Sequence, residues 1–199
     1  MRRQQRRVLC LAILVSLSCG LPAFAAEDWA WNYNLFLGRK SQASSSWKPY
    51  GTYDELGVEA SWGHAEEPLQ FATDVYAARD RERENGFRVE SKAWEVDLGL
   101  RKTWVIKKRC NVSFGSGPAL IGVKAESASR RAITSSSDRS YGWFFGGNAF
   151  YRVGPQLNIG VALHFTPAID LHINGSRLNA NATHFGLIIG WGAPLEAKK

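Results

Sequence analysis

The 199-residue sequence has no run approaching the roughly 18 consecutive apolar residues of a membrane-spanning helix, which excludes a helical membrane protein. Cysteine is scarce. Of Cys10, Cys19 and Cys110, the first two lie in a segment that reads as a removable leader, and the one thiol left cannot form an intrachain disulfide. A small disulfide-stapled secreted domain is thereby excluded. Also missing are a phosphate-binding glycine loop, a nucleic-acid motif and any zinc-ligand spacing among the four histidines and three cysteines. No cofactor, metal or nucleic-acid partner is expected from this pattern.

What is present begins with a targeting signal. Arg2, Arg3, Arg6 and Arg7 precede an apolar run from Val8 to about Leu17, and Ala23-Phe24-Ala25 has the small-x-small cleavage pattern of a secretory signal peptide. Roughly ten apolar residues are too few to cross about 30 Å of hydrocarbon, so an uncleaved anchor is disfavoured. Lipid attachment at Cys19 is disfavoured because Ser16 sits where such a signal prefers Leu or Val. Residues 1–26 are therefore expected to be removed, leaving a body over 27–192 and a short polar tail over 193–199. The leader carries four arginines and no carboxylate, so the formal charge falls from +7 to about +3 on its loss. The basic balance belongs mostly to targeting. The rest is long enough for one domain.

That body alternates with a period of two in eight segments. One face carries Trp29, Trp31, Tyr33, Leu35 and Leu37; then Leu56, Val58, Ala60 and Trp62; then Leu69, Phe71, Thr73, Val75 and Ala77. Trp94, Val96, Leu98, Leu100, Lys102 and Trp104 form the fourth. The fifth is irregular, since Val112 and Phe114 share one phase while Ile121 and Val123 take the other, and Gly117-Pro118 between them predicts a bulge. Tyr141, Trp143, Phe145, Ala149, Tyr151 and Val153 form the sixth, and Leu157, Ile159, Val161, Leu163 and Phe165 the seventh. The eighth carries Phe185, Leu187, Ile189 and Trp191.

The opposite faces hold Glu55, Glu59, Asp74, Glu95, Asp97, Arg101, Asn148, Arg152, Asn158 and His164. A soluble β-sandwich also alternates, but it has no need of large aromatics at both ends of its apolar faces. Here Trp29, Trp31, Trp62, Trp104, Tyr151 and Trp191 fall at one end and Trp94, Tyr141, Trp143 and Phe165 at the other, as in the two aromatic girdles of a membrane barrel. Short connections after the second, fourth and sixth segments alternate with long polar ones, Lys40 to Thr52, Arg79 to Gly86, Glu126 to Arg139 and Pro167 to Ala180. That alternation matches short periplasmic turns and longer external loops. The expected fold is all-β: an eight-stranded antiparallel transmembrane barrel in up-and-down order.

His184-Phe185-Gly186-Leu187-Ile188-Ile189-Gly190-Trp191 is similar to the C-terminal assembly signal of bacterial outer-membrane barrels. From Trp29 to Trp191 the chain resembles the small eight-stranded outer-membrane barrels of the OmpA-barrel and OmpX type, with OmpW-like proteins close by. The resemblance implies an outer-membrane location, insertion by the barrel-assembly machinery, a monomer, and a lipid and lipopolysaccharide environment. It implies little about activity. The leading expectation is a non-enzymatic protein acting in surface binding, adhesion or envelope stability through its external loops. An OmpW-like conduit for small hydrophobic compounds is the alternative.

Three residue groups are candidates for function. The first is a lumen network of Glu55, Glu59, Asp74, Glu95, Asp97, Arg101, Arg152 and His164, because an eight-stranded barrel has room for side chains and buried charges must be paired. The second is His164-Phe165-Thr166, which resembles the His-x-Ser pair of PagL-type lipid A deacylases, with Thr in place of Ser and with a parity that turns both groups inward. No catalytic residue is assigned. His172 and His184 have no second ligand at metal-binding spacing. The third is a basic collar of Arg79, Arg81, Arg83, Arg88 and Lys92 with Arg130, Arg131 and Arg139, whose guanidinium groups suit the phosphates of lipopolysaccharide.

Overall fold

Period-two alternation commits a run to a strand whose two faces meet different surroundings, and a sheet with one apolar and one polar face can close with the polar face inside only if lipid covers the other. The computed structural model describes residues 29–42, 51–64, 67–84, 87–128, 133–173 and 175–192, with the backbone alone at 82–84, 87–88, 127–128 and 133–134. The expected signal peptide and polar tail lie outside these residues.

The strands are β1 (Trp29–Gln42), β2 (Thr52–His64), β3 (Gln70–Glu84), β4 (Phe87–Lys107), β5 (Cys110–Ala128), β6 (Ile133–Arg152), β7 (Leu157–Thr166), β8 (Leu171–Ile173), β9 (Ser176–Leu178) and β10 (Ala182–Gly192). Eight of them form a closed antiparallel meander, and β8 and β9 make a separate two-stranded sheet. Closure is between β1 and β10, where Tyr33 faces Trp191, Leu35 faces Ile189 and Leu37 faces Leu187. No edge of the barrel is left unpaired. Large apolar side chains stand exposed at outward positions of seven of the eight barrel strands, Leu37, Phe71, Leu98, Phe114, Phe145, Leu163 and Leu187 among them, while Leu56, Val58 and Trp62 on β2 are partly exposed. Such a surface is stable only against hydrocarbon.

The wall is uneven. Strands β4, β5 and β6 run 21, 19 and 20 residues, about twice the 9–11 needed to cross a membrane at a tilt, whereas β7 and β10 run 10 and 11. Two connections expected as loops are therefore largely strand: β3 and β4 stay paired to Glu84 opposite Phe87, and β5 and β6 to Ala128 opposite Ile133. Their sequences are mostly polar with no sustained apolar alternation, so hydrophobic periodicity could not reveal them.

The expected bulge at Gly117-Pro118 is absent. Strand β5 holds one register with β6 from Cys110 opposite Tyr151 to Ala128 opposite Ile133. Against β4, the pairs Asp97 with Ala119 and Leu100 with Ser116 bracket the proline without a shift, and the irregularity lies at Val105 to Lys107 instead. Ile121 and Val123 fall out of phase because they point into the barrel, where both are buried.

Candidate functional site

Inward positions of neighbouring strands stack three carboxylates in one row. Glu59 on β2 faces Asp74 on β3, and Asp74 faces Asp97 on β4. Glu55 from β2, Glu95 and Arg101 from β4, Lys40 from β1, His164 and Thr166 from β7, and His184 from β10 complete a buried polar lumen. Arg101 Nη2 donates to Asp74 Oδ2 at 2.6 Å and Nη1 lies 3.9 Å from Glu59. Glu59 also accepts from the Tyr76 hydroxyl at 3.0 Å, Asn148 at 2.7 Å and Asn34 at 3.3 Å. Lys40 Nζ donates to Glu95 Oε2 at 2.5 Å and the Thr166 hydroxyl to Glu95 Oε1 at 2.6 Å. His184 Nδ1 stands 2.8 Å from Glu55 Oε2 and its Nε2 3.3 Å from Glu95.

Glycine makes room for the rings in this layer. A Cβ at Gly57 would run into the Tyr76 ring, and one at Gly146, opposite His164, would sit 3.2 Å from His164 Nδ1. The His164 imidazole stacks on Phe144 at 5.3 Å between centroids and meets the edge of Tyr76 at 5.3 Å, so its orientation is fixed.

Seven of the eight lumen residues named from sequence thus come together in one buried layer. Arg152 stands apart, half-buried near the short-turn end, where its N–H donates to Arg109 O at 2.7 Å. Sequence reading misses Lys40, Tyr76 and His184. Lys40 falls in an expected loop although the β1 parity turns it inward, and His184 lacks ligand spacing along the chain, which says nothing of partners across a barrel. His164 and Thr166 are both buried in the lumen, Thr166 donating to Glu95 and His164 Nε2 lying 3.3 Å from Asp97 Oδ2, so the pair does not meet lipid as the resemblance to a lipid A deacylase requires.

The other half of the lumen is apolar. Tyr53, Ala78, Ala93, Ile121, Val123 and Ala125 line it, and Leu171, Ile173 and Ala180 from the fourth long connection fill it. Alternation predicts this connection to be a polar external loop. Instead Trp143 N–H donates to Pro167 O and Ile169 N–H to Tyr141 O, which carries the chain along β6 before the β8–β9 hairpin turns in at Gly175, φ 77°. Asp138 holds the hairpin through the N–H of His172 at 2.7 Å. That bond and one from the N–H of Arg139 keep the exposed Asp138 carboxyl below its usual range. The conduit alternative requires an apolar pocket and a break in the wall. Among the described residues the apolar region is filled and the wall is continuous.

No protein-family model and no curated protein matches the chain. Solved structures do. Neisserial surface protein A is 12% identical with a TM-score of 0.51, the match covering 82% of this chain and 96% of that one. The attachment invasion locus protein Ail of Yersinia pestis, solved with the heparin analogue sucrose octasulfate, is 12% identical with a TM-score of 0.54, covering 84% and 98%. A major outer membrane protein of Thermus thermophilus is 12% identical with a TM-score of 0.55, covering 83% and 98%. This chain has the fold of the small outer-membrane β-barrels.

In an outer-membrane barrel the short-turn end is periplasmic and the long-strand end external. At the periplasmic end Trp31 pairs with Trp62 and Tyr33 with Trp191, while Trp104 on β4 and Tyr151 on β6 are exposed; Trp29 packs on His64. Toward the outer end Trp94, Tyr141, Trp143 and Phe165 face outward. Beyond Trp94 one cross-strand row holds Arg79, Lys92 and Lys124, with Arg139 6.0 Å from the Trp94 ring. Glu90 bridges Arg79 at 2.5 Å and Lys92 at 2.9 Å. Burial would raise the Glu90 carboxyl, but hydrogen bonds from Lys92 and Arg79 outweigh it and hold the group below its usual range. Arg81 lies 3.9 Å from Glu90. The side chains of Arg83, Arg88, Arg130 and Arg131 lie outside the described residues.

Proposed function

We propose that this protein is an integral outer-membrane barrel without enzymatic activity, which seats its tall outer wall among lipopolysaccharide molecules and presents that wall as a binding surface. The observation that carries this reading is the basic row of Arg79, Lys92 and Lys124 on the outward face just beyond Trp94. An outward basic row immediately above an aromatic girdle lies at the height of lipid headgroup phosphates. Arg and Lys both serve as phosphate partners there, Arg through paired hydrogen bonds and Lys as a point charge. The apolar cap supports the same reading, since among the described residues Leu171, Ile173 and Ala180 fill the mouth and leave the outer wall to meet the surroundings.

The test compares folding of the chain into vesicles with and without lipopolysaccharide, scored by heat-dependent gel mobility. Lipopolysaccharide is expected to speed folding of the wild type, and the triple variant R79E/K92E/K124E to lose that gain while still folding in plain phospholipid. Equal acceleration of both proteins would overturn the reading. Recovery of the wild type as a soluble periplasmic protein would overturn the location.

A further inference from the structure

We propose that the lumen binds one first-row divalent cation of the zinc type, held by His164 Nε2 with carboxylate oxygens of Asp97 and Asp74. The three side chains are each at least nine-tenths buried, and their ligand atoms lie within 4.8 Å of one another.

The hydrogen-bond pattern points to this spot. Glu59, Glu55 and Glu95 are each met by protein donors, as described above. Asp97 accepts no hydrogen bond at either oxygen, Asp74 Oδ1 accepts none, and His164 Nε2 makes none although it lies 3.3 Å from Asp97 Oδ2 and 3.6 Å from Glu95 Oε1; all are buried. Buried polar atoms are almost always partnered, and those left over call for a water or an ion. Here the leftover atoms converge. His164 Nε2 is 3.3 Å from Asp97 Oδ2, which is about the edge of a tetrahedron with metal–ligand bonds near 2.0–2.1 Å.

Charge and register say the same. The buried layer holds five carboxylates, Glu55, Glu59, Asp74, Glu95 and Asp97, against Lys40 and Arg101 as the only fixed cations among the described buried residues. Asp74 and Asp97 are direct cross-strand partners, an arrangement that is destabilising for like charges and worse in a low dielectric. A divalent cation between them removes the conflict. Arg101, on the far oxygen of Asp74, and Phe144, stacked on His164, fix two of the ligands in place, as outer contacts do around metal sites.

A mixed set of one imidazole and two carboxylates suits Zn²⁺, and also Mn²⁺, Fe²⁺ or Co²⁺, better than Ca²⁺ or Cu⁺. A second convergence, of Glu95, His164 and His184, is less apt, because Lys40 and Thr166 already occupy both oxygens of Glu95 and the ammonium would repel a metal. Toward the periplasmic end the lumen stays polar, with Asn34, Asn148, Asn158, Ser61 and Ser113 buried there.

The test uses the chain purified from outer membranes in detergent with H64Q and H172Q introduced, so that the exposed histidines are gone and only the two lumen histidines remain. Folding is verified by heat-dependent mobility. After equilibration with Zn²⁺ and desalting, this parent is expected to retain about one ion per chain, and D97N or H164Q to bind at least about tenfold more weakly. No retained Zn²⁺ in the folded parent, or equal retention in folded D97N, overturns the proposal. If neither variant folds, the visible spectrum of Co²⁺ added to the parent decides: a change from the aqueous ion to a low-symmetry nitrogen and oxygen field supports the site, and an unchanged aqueous spectrum overturns it.

Discussion

The two halves of the lumen are built from the same alternating strands and filled in opposite ways. Toward the outside, Ile121 and Val123 meet Leu171 and Ile173 in an apolar plug supplied by a connection that folds back. Through the middle, Glu59, Asp74, Glu95 and Asp97 meet Lys40, Arg101 and two histidines. Apolar filling is forgiving, because any side chain of suitable size excludes water and contacts its neighbours. A charged layer works only when each member finds its partner, and removing one leaves another stranded. The two zones should therefore fail differently, the middle as a whole and the plug locally.

The largest difference between the zones is expected from Glu95→Ala, which strands Lys40 in the middle zone. It should cost about 3–5 kcal/mol, against a much smaller loss for the lipid-facing Val96→Ala, which opens no cavity in a packed core. Urea titration of the two folded barrels checks this, and matching midpoints would remove the network from the account.

A charge placed on the outer face tests the other side of the same wall. Ile189→Arg with Trp191→Arg should prevent insertion, at about 2–4 kcal/mol for a cation at midplane and less at the interface. Outer-membrane yield of the double variant is the measurement, and a normal yield would unseat β10 as the closing, lipid-facing strand.

The plug comes next. Leu171→Ala removes a fully buried side chain and should cost about 2 kcal/mol, the low end for such a truncation because a short hairpin can settle into the space. Amide exchange should quicken at Ile173 and Leu178 but not at Glu95. Equal quickening in both zones would show a single cooperative lumen instead of two.

The smallest effect is one of pH. Asp138 is held below its usual value of 3.8, so its grip on the hairpin is complete above that pH and is lost as pH falls through the lowered value. Amide exchange at His172 should therefore rise only in strong acid in the wild type and be fast at every pH in Asp138→Ala, which has no acceptor. A His172 amide equally protected in both proteins would free the hairpin from this anchor.

Legibility follows the same division. The lipid-facing stripe from Leu35 to Ile189 is readable because hydrophobic alternation is a local property of the strand, and parity alone turns Glu55, Asp74 and Asp97 inward. Lys40 is lost to such reading because alternation ceases to be hydrophobic where β1 leaves the membrane, although its pairing continues to Gln42 opposite Ala182. Ile121 and Val123 mimic a change of phase at Pro118, since an apolar residue on the inner face looks like an outward one shifted by one position.

The eight barrel strands, the outward face, the aromatic ends and the inward charges are legible in the sequence, because each depends on a residue and its neighbours two positions away, whereas the β8–β9 hairpin is not. Which charges meet depends on how the barrel closes. Lys40 reaches Glu95 across 55 residues and His184 reaches Glu55 across 129, and those contacts exist because closure of β1 on β10 brings distant strands around one narrow lumen. The same closure left Asp97 and His164 facing each other, and it set Leu171 and Ile173 over the mouth. Partnership inside a barrel is fixed by shear and register around the ring, and a linear pattern contains neither.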